Sequence, residues 1–132
     1  MASITKAKLT ISKTPANGTA LCTVDCTVSF SPYEMKEMKE GLKFRLDCSL
    51  WADDVITDDC IFNYGSKFFP DATPTSSENY QFQATLGLGL LDEDLFFKDE
   101  VYGLLKLTNL YTQIKVQKKT NVVTGKFWTI VR

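Results

Sequence analysis

The chain has 132 residues, 44% of them hydrophobic and 23% charged, which suits one soluble domain with a single core. Fifteen Lys and Arg stand against sixteen Asp and Glu, a formal net charge of -1, so whole-chain attraction to nucleic acid is not expected. The complete absence of histidine removes the Ser-His-Asp triad, the Cys-His dyad and any histidine-ligated metal site.

Successive side chains on a strand point to opposite faces, so each apolar run is tested for a period of two. "KAKLTIS" sets Ala7, Leu9 and Ile11 against Lys6, Lys8 and Thr10, and "TPANGT" then makes a turn. The N-x-T triplet at Asn17 to Thr19 belongs to that turn. In "ALCTVDCTVSF" the residues Ala20, Cys22, Val24, Cys26, Val28 and Phe30 share one face, with Leu21 the one apolar residue on the other. "SPYEMKEMKEG" breaks the period: Ser31 as N-cap, Pro32 at the first helical position and Glu34 completing an S-x-x-E box predict a short helix stopped at Gly41. Met35 and Met38 form its inner face, over an open end of the core.

Strand alternation returns in "LKFRLDCSLW", with Leu42, Phe44, Leu46, Cys48 and Leu50 inward, and "DCIFNY" groups Cys60, Phe62 and Tyr64. After the loop "GSKFFPDATPTSS", "ENYQFQATLGL" points Tyr80, Phe82, Ala84, Leu86 and Leu88 inward. "VYGLLKLT" is apolar on both faces, as a central strand would be. "TQIKVQKK" places Ile114 and Val116 inward, and "KFWTIV" is a last strand or the continuation of its predecessor beyond a bulge.

All four cysteines thus take the inward register. Cys22 and Cys26 would lie about 13 Å apart on one strand at about 3.3 Å per residue, beyond the roughly 7 Å limit for a disulfide. Neither belongs to a C-x-x-C knuckle. They read as buried thiols serving as small hydrophobes, with a cross-strand bond from Cys22 or Cys26 to Cys48 as the alternative.

Seven or eight short strands with turns between them imply an all-β fold: one antiparallel two-layer β-sandwich spanning residues 1–132, with one short helix. Strand count, length and "KDEVYGLLKL", where Tyr102 follows an acidic corner at the sixth strand, resemble the immunoglobulin-like sandwiches and their tyrosine corner. The resemblance is to an architecture: the sixth strand has no cysteine for the inter-sheet disulfide, and Trp51 ends the third strand instead of sitting within it. A C2-like or other Greek-key sandwich fits the same pattern.

Antiparallel parity gathers the first, third and fifth connections at one end. Asp53, Asp54, Asp58 and Asp59 would then meet Asp92, Glu93, Asp94, Asp99 and Glu100. Calcium takes 6–8 oxygen ligands, and Asp53, Asp54, Asp58, Asp92, Asp94 and Asp99 are the candidate set, although "DDVITDD" is not an EF-hand loop. Trp51 and the doublets Phe68-Phe69 and Phe96-Phe97 are candidate anchors for a partner. Lys6, Lys8, Lys115 and Lys119 would form an outward basic ribbon that protects an edge and binds no nucleic acid.

No glycine-rich phosphate motif occurs, and a strand-borne inward cysteine is poorly placed as a nucleophile, so no catalysis is expected. The expected function is a cofactor-free interaction module presenting loops and an edge strand to a protein partner or to itself. The alternatives are a calcium-dependent C2-like membrane or ligand binder and a structural subunit of an oligomeric assembly. No apolar run reaches the roughly 20 residues of a spanning helix, and "MASITKAKLTIS" has no signal-peptide core, so the expected compartment is the cytoplasm unless export uses no N-terminal signal.

Overall fold

A computed structural model of the chain describes residues 1–52, 58–87 and 99–125. The described strands are β1 (Ser3–Thr14), β2 (Thr19–Ser29), β3 (Phe44–Ala52), β4 (Asp59–Phe69), β5 (Ser77–Gly87), β6 (Asp99–Asn109), β7 (Lys115–Lys119) and β8 (Val123–Gly125), with one α-helix, α1 (Pro32–Lys39). They form an antiparallel β-sandwich. One sheet runs β1-β2-β5; the other runs β4-β3-β6-β7, with β8 continuing beside β6. No described helix is long and apolar enough to cross a membrane.

The alternation of β2 and β3 does most of the positioning. Ala20, Cys22, Val24 and Val28 of β2 are fully buried, and Phe44, Leu46, Cys48 and Leu50 of β3 face them, none more than 2% exposed. Leu105 and Leu107 of β6 complete the layer, and β6 is central, as its two apolar faces require. Burial of each such leucine or phenylalanine contributes about 1.5–3 kcal/mol.

Bulges decide what the outer strands show to this core. On β1, Ile4 pairs with Val28 and Leu9 with Val24, so five steps on one strand match four on the other. The extra residue falls beside Lys6, whose φ is +52°. That left-handed step lets both Ile4 and Leu9 point inward, whereas strict alternation would turn one of them out. At the other end of β1 a 3-10 turn at Pro15–Asn17 and Gly18, φ +66°, make the expected reversal.

On β4 two shifts act in succession. Gly65 pairs with Cys48, Asn63 with Ser49, Phe62 with Leu50 and Cys60 with Trp51, leaving Tyr64 and Ile61 as the inserted residues. Phe62 and Tyr64 still pack on the core. Cys60 does not share their face: the insertion at Ile61 reverses the register, pairs it with outward Trp51 and leaves it exposed. The expectation that all four thiols are inward therefore fails at Cys60 alone. All four are free, so the cross-strand disulfide is also absent.

The two open sides of the sandwich close differently. Between β4 and β5 the closure is aromatic: Tyr64 lies 5.8 Å from Phe82, Phe69 lies 6.3 Å from Tyr80, and Tyr80 is edge-on to Phe82 at 4.8 Å. The Tyr64 hydroxyl donates to the Cys22 carbonyl at 3.0 Å, which ties β4 to the opposite sheet. Between β1 and the β7–β8 junction the closure is polar. Asn121 accepts from the Leu9 N–H at 2.8 Å and donates to the Leu9 carbonyl at 3.2 Å, a side-chain amide standing in for one more strand. Just before it, Thr120 accepts from the Gly103 N–H through its hydroxyl at 2.7 Å and donates its own N–H to the Gly103 carbonyl at 2.9 Å. A Cβ at Gly103 would meet Thr120 Cγ2 at 3.0 Å and Val24 Cγ2 at 3.2 Å, so a side chain here would crowd this approach.

Helix α1 covers the end of the core where Ser31 and Glu34 form the expected capping box. The Glu34 carboxylate accepts from the Ser31 N–H at 2.8 Å and from the Ala2 N–H at 2.9 Å, joining the helix to the segment ahead of β1. Met38 is buried, Met35 packs beside the core, and Gly41 leaves the helix at φ +116°.

Two outcomes follow from this packing. Asn121→Ala removes both bonds to the buried Leu9 backbone and is expected to lower the free energy of unfolding by about 1–3 kcal/mol in urea titration. For the thiols, burial pushes Cys22 and Cys26 up to about 11, Asp25 adding to the effect at Cys26, and burial raises Cys48 further. Alkylation of the native protein near pH 8 is therefore expected to label Cys60 rapidly and the other three only after unfolding.

The same shifts have a sign in stability. An unfolded thiol ionises near pH 8.5, about 2.5 units below its buried counterpart, so ionisation favours the unfolded chain. The stabilisation is fully present below about pH 8.5 and is lost as the pH climbs toward 11. Cys26→Ala is expected to flatten that loss, read as a shallower fall of Tm between pH 9 and pH 11 than in the unmodified sequence.

Candidate functional site

The strand ends meet as parity requires. Ala52, at the end of β3, pairs with both Asp59 and Val101, and Thr19, at the start of β2, pairs with Gly87 at the end of β5. The connections that bear the acidic clusters thus leave the sandwich at one end. Of the candidate metal ligands, Asp53, Asp54, Asp92 and Asp94 lie outside the described residues, and Asp99 is described only as a backbone partner of Gly125. Asp58 is half-buried and accepts a 2.6 Å hydrogen bond from the Tyr102 hydroxyl. Among the described residues no three Asp, Glu, Cys or His side chains form a group that could hold a metal ion.

That bond also corrects the reading of Tyr102. In a tyrosine corner the hydroxyl returns to the backbone a few residues upstream. Here it reaches a carboxylate 44 residues earlier, at the β3–β4 connection, while the Lys119 ammonium sits 4.6 Å from the ring centroid. Tyr102 points to the outer face of its sheet and is nonetheless 5% exposed, because Lys119 and Asp58 cover it.

The aromatic anchors do not converge. Trp51 faces outward beside Tyr102, half-buried, with its indole N–H donating to Ser49 Oγ at 2.8 Å. Phe68 is 49% exposed on the same outer face, but it pairs with Arg45, six positions along β3 from Trp51 and so about 20 Å away. Phe69 is no anchor: the neighbour of an outward residue on a strand points inward, and Phe69 is 1% exposed opposite Phe44. Phe96 and Phe97 lie outside the described residues. Lys6 and Lys8 of β1 and Lys115 and Lys119 of β7 are exposed on strands that lie alongside each other, as the basic ribbon requires.

Two features escaped the sequence reading. The first is an apolar cleft of about 260 Å³ between α1 and the β6–β7 turn, lined by Tyr33, Glu34, Phe44, Leu107, Ile114 and Val116. Ile114 was expected inward; Gln113 before it has φ +63°, strand pairing resumes only at Lys115, and Ile114 is left 52% exposed at the rim.

The second feature is the contrast among the strand edges. Free edges carry unpaired N–H and C=O groups and are normally blunted by lysine, proline or bulges. β1 has its bulge and exposed Lys6, Lys8 and Lys13; β7 has exposed Lys115, Lys118 and Lys119; β4 has two register shifts, a left-handed Gly65 at φ +97° and Lys67. β5 has none of these. It holds eleven consecutive pairs with β2, without a shift, proline or basic residue, and among the described residues its backbone pairs with β2 alone.

The outward side chains of β5 are neutral: Ser77, Asn79, Gln81, Gln83 and Thr85. Asn79 accepts from the Thr27 hydroxyl at 2.7 Å and Gln81 donates to Asp25 at 2.8 Å, which fixes the outer surface of the strand. Its one charge, Glu78, lies half-buried on the other face, its carboxyl raised first by burial and then by Asp71, with Lys67 opposing. The sequence did contain this signal, as an eleven-residue strand without a lysine or proline, but only the strand order shows that it lies at an edge.

No family model matches the chain, and no curated protein matches it. Among solved structures, it is similar to a Bordetella pertussis protein described as ApaA, with 8% identity, a TM-score of 0.38 and coverage of 95% of this chain and 90% of that one. It is also similar to β-glucosidase 3B from Thermotoga neapolitana, with 10% identity and a TM-score of 0.36, over 96% of this chain and 17% of that enzyme. At such scores neither likeness carries an argument about function.

Proposed function

We propose that the chain is a non-catalytic interaction module that engages a protein partner by strand addition along the free edge of β5. The observation that supports this reading is that, among the described residues, nothing guards that edge, whereas the other three are guarded. An added strand gains main-chain hydrogen bonds along its length, and neutral amide and hydroxyl side chains on the receiving strand impose no charge requirement. The anchoring is rigid, because β5 is tied to β2 by eleven pairs and to β4 by the Tyr64, Phe69, Tyr80 and Phe82 rings.

The reading without catalysis rests on chemistry already described. The chain has no histidine. Three of its four thiols are buried and raised, which withholds the thiolate, and the exposed one stands on an outer sheet face beside Trp51.

The test is a titration of isotope-labelled protein with a short synthetic peptide of alternating threonine and valine flanked by lysines, a generic extended strand. Amide shifts and slowed hydrogen exchange are expected at alternate residues of β5, with β1 and β7 unchanged. Shifts confined to the cleft around Tyr33 and Ile114, or no shift at millimolar peptide with the chain dilute enough to be monomeric, would overturn strand addition.

A further inference from the structure

We infer that the strand added to β5 is the β5 of a second copy of this chain, in an antiparallel pair whose two-fold axis passes through Phe82. This rests on the strand-addition reading and names its partner. The midpoint of Ser77–Gly87 is Phe82, so an axis there pairs all eleven residues and leaves none overhanging. Every outward residue then meets an outward residue of the second copy: Gln81 faces its Gln83 and Asn79 its Thr85. On the inner face Tyr80 meets Ala84, large against small, and Phe82 meets Phe82.

Charge agrees with this register. The one ionisable side chain of β5, Glu78, falls opposite Leu86 of the other copy, so no like charges oppose each other. The same self-pairing at β1 would align a strand bearing Lys6, Lys8 and Lys13 with itself, and at β7 one bearing Lys115, Lys118 and Lys119. Among β1, β5 and β7, β5 is the edge whose charges are compatible with its own copy, and β4 is set aside by its two register shifts.

The geometry also closes. Joining two copies through β5 makes one continuous sheet in the order β1-β2-β5-β5-β2-β1. Both of its new outer edges are β1, each with the Lys6 bulge and exposed lysines, so growth stops at two. A two-fold through an edge strand uses the same patch on both copies and consumes it, which gives a closed dimer and no fibre.

The experiment reads mass against concentration by sedimentation equilibrium on the full chain and on variants at the facing amides. The unmodified chain is expected to show a monomer–dimer equilibrium. Gln81→Lys with Gln83→Lys places two pairs of lysines face to face across the axis and should weaken dimerisation about tenfold or more, with the fold intact by circular dichroism. Gln81→Glu with Gln83→Glu should do the same, and mixing the two variants should restore a mixed dimer.

Gln81→Lys with Gln83→Glu is the register control: each lysine now faces a glutamate, and the homodimer should persist. A dimer unaffected by the double-lysine variant, or a chain that is monomeric at millimolar concentration, would overturn the inference. A monomer that still shows peptide-induced shifts along β5 overturns self-pairing and leaves strand addition standing.

Discussion

The constraint on which this structure depends is that a β-strand can send only every second side chain to one core. A sandwich of this size needs apolar residues from its outer strands as well as its central ones, and on two of those outer strands, β1 and β4, strict alternation does not deliver them. β1 supplies both Ile4 and Leu9 because its bulge at Lys6 resets the parity between them. β4 supplies Phe69, Tyr64 and Phe62 through one insertion and then, through a second, turns Cys60 out. The bulges are therefore part of how the core is filled, and each also disrupts the edge of the strand that carries it.

That double effect explains the unequal edges. β2 and β3 lie inside their sheets and need no correction: every inward position from Ala20 to Val28 and from Phe44 to Ala52 is buried, and on β2 the outward Thr23 and Thr27 are buried as well. β5 also alternates regularly, so it fills its share of the core without a bulge and keeps a straight edge. The aromatic closure against β4 stiffens the side of the sandwich where that edge lies, whereas the opposite side is held by the Asn121 amide and the Thr120–Gly103 bonds. An unbroken, neutral edge is what the proposed strand addition draws on.

Much of this was legible in the sequence where local chemistry acts alone. The capping box at Ser31 and Glu34, the stop at Gly41, the inward faces of β2, β3 and β5 and the central place of β6 follow from spacing and propensity. What was not legible depends on pairing. No local signal marks the insertion at Ile61, because a bulge is defined against the neighbouring strand, and so Cys60 was assigned the wrong face. Phe68 and Phe69 are both anchor candidates in the sequence, and only the strand they share decides which of the two points inward. The Tyr102 hydroxyl found Asp58 instead of its own corner, a contact set by how the β3–β4 connection returns. The edge position of β5 is likewise a property of sheet order, to which a single chain read in sequence gives no access.

The two neighbours of β2 make a controlled comparison within one sheet. β1 and β5 run antiparallel to the same strand, over nearly the same length, and each turns apolar side chains to the same core. Packing thus asks similar things of both. Their difference lies in what points away: lysines and a left-handed kink on β1, amides and hydroxyls without a break on β5. A lysine at the position of Gln81 would face Asp25 on the outer surface of β5 and add an ion pair. Burial therefore does not account for the neutrality of this edge. What distinguishes the two strands is what each edge presents: β1 carries a bulge and exposed lysines, β5 carries neither, and on that contrast the proposed strand addition rests.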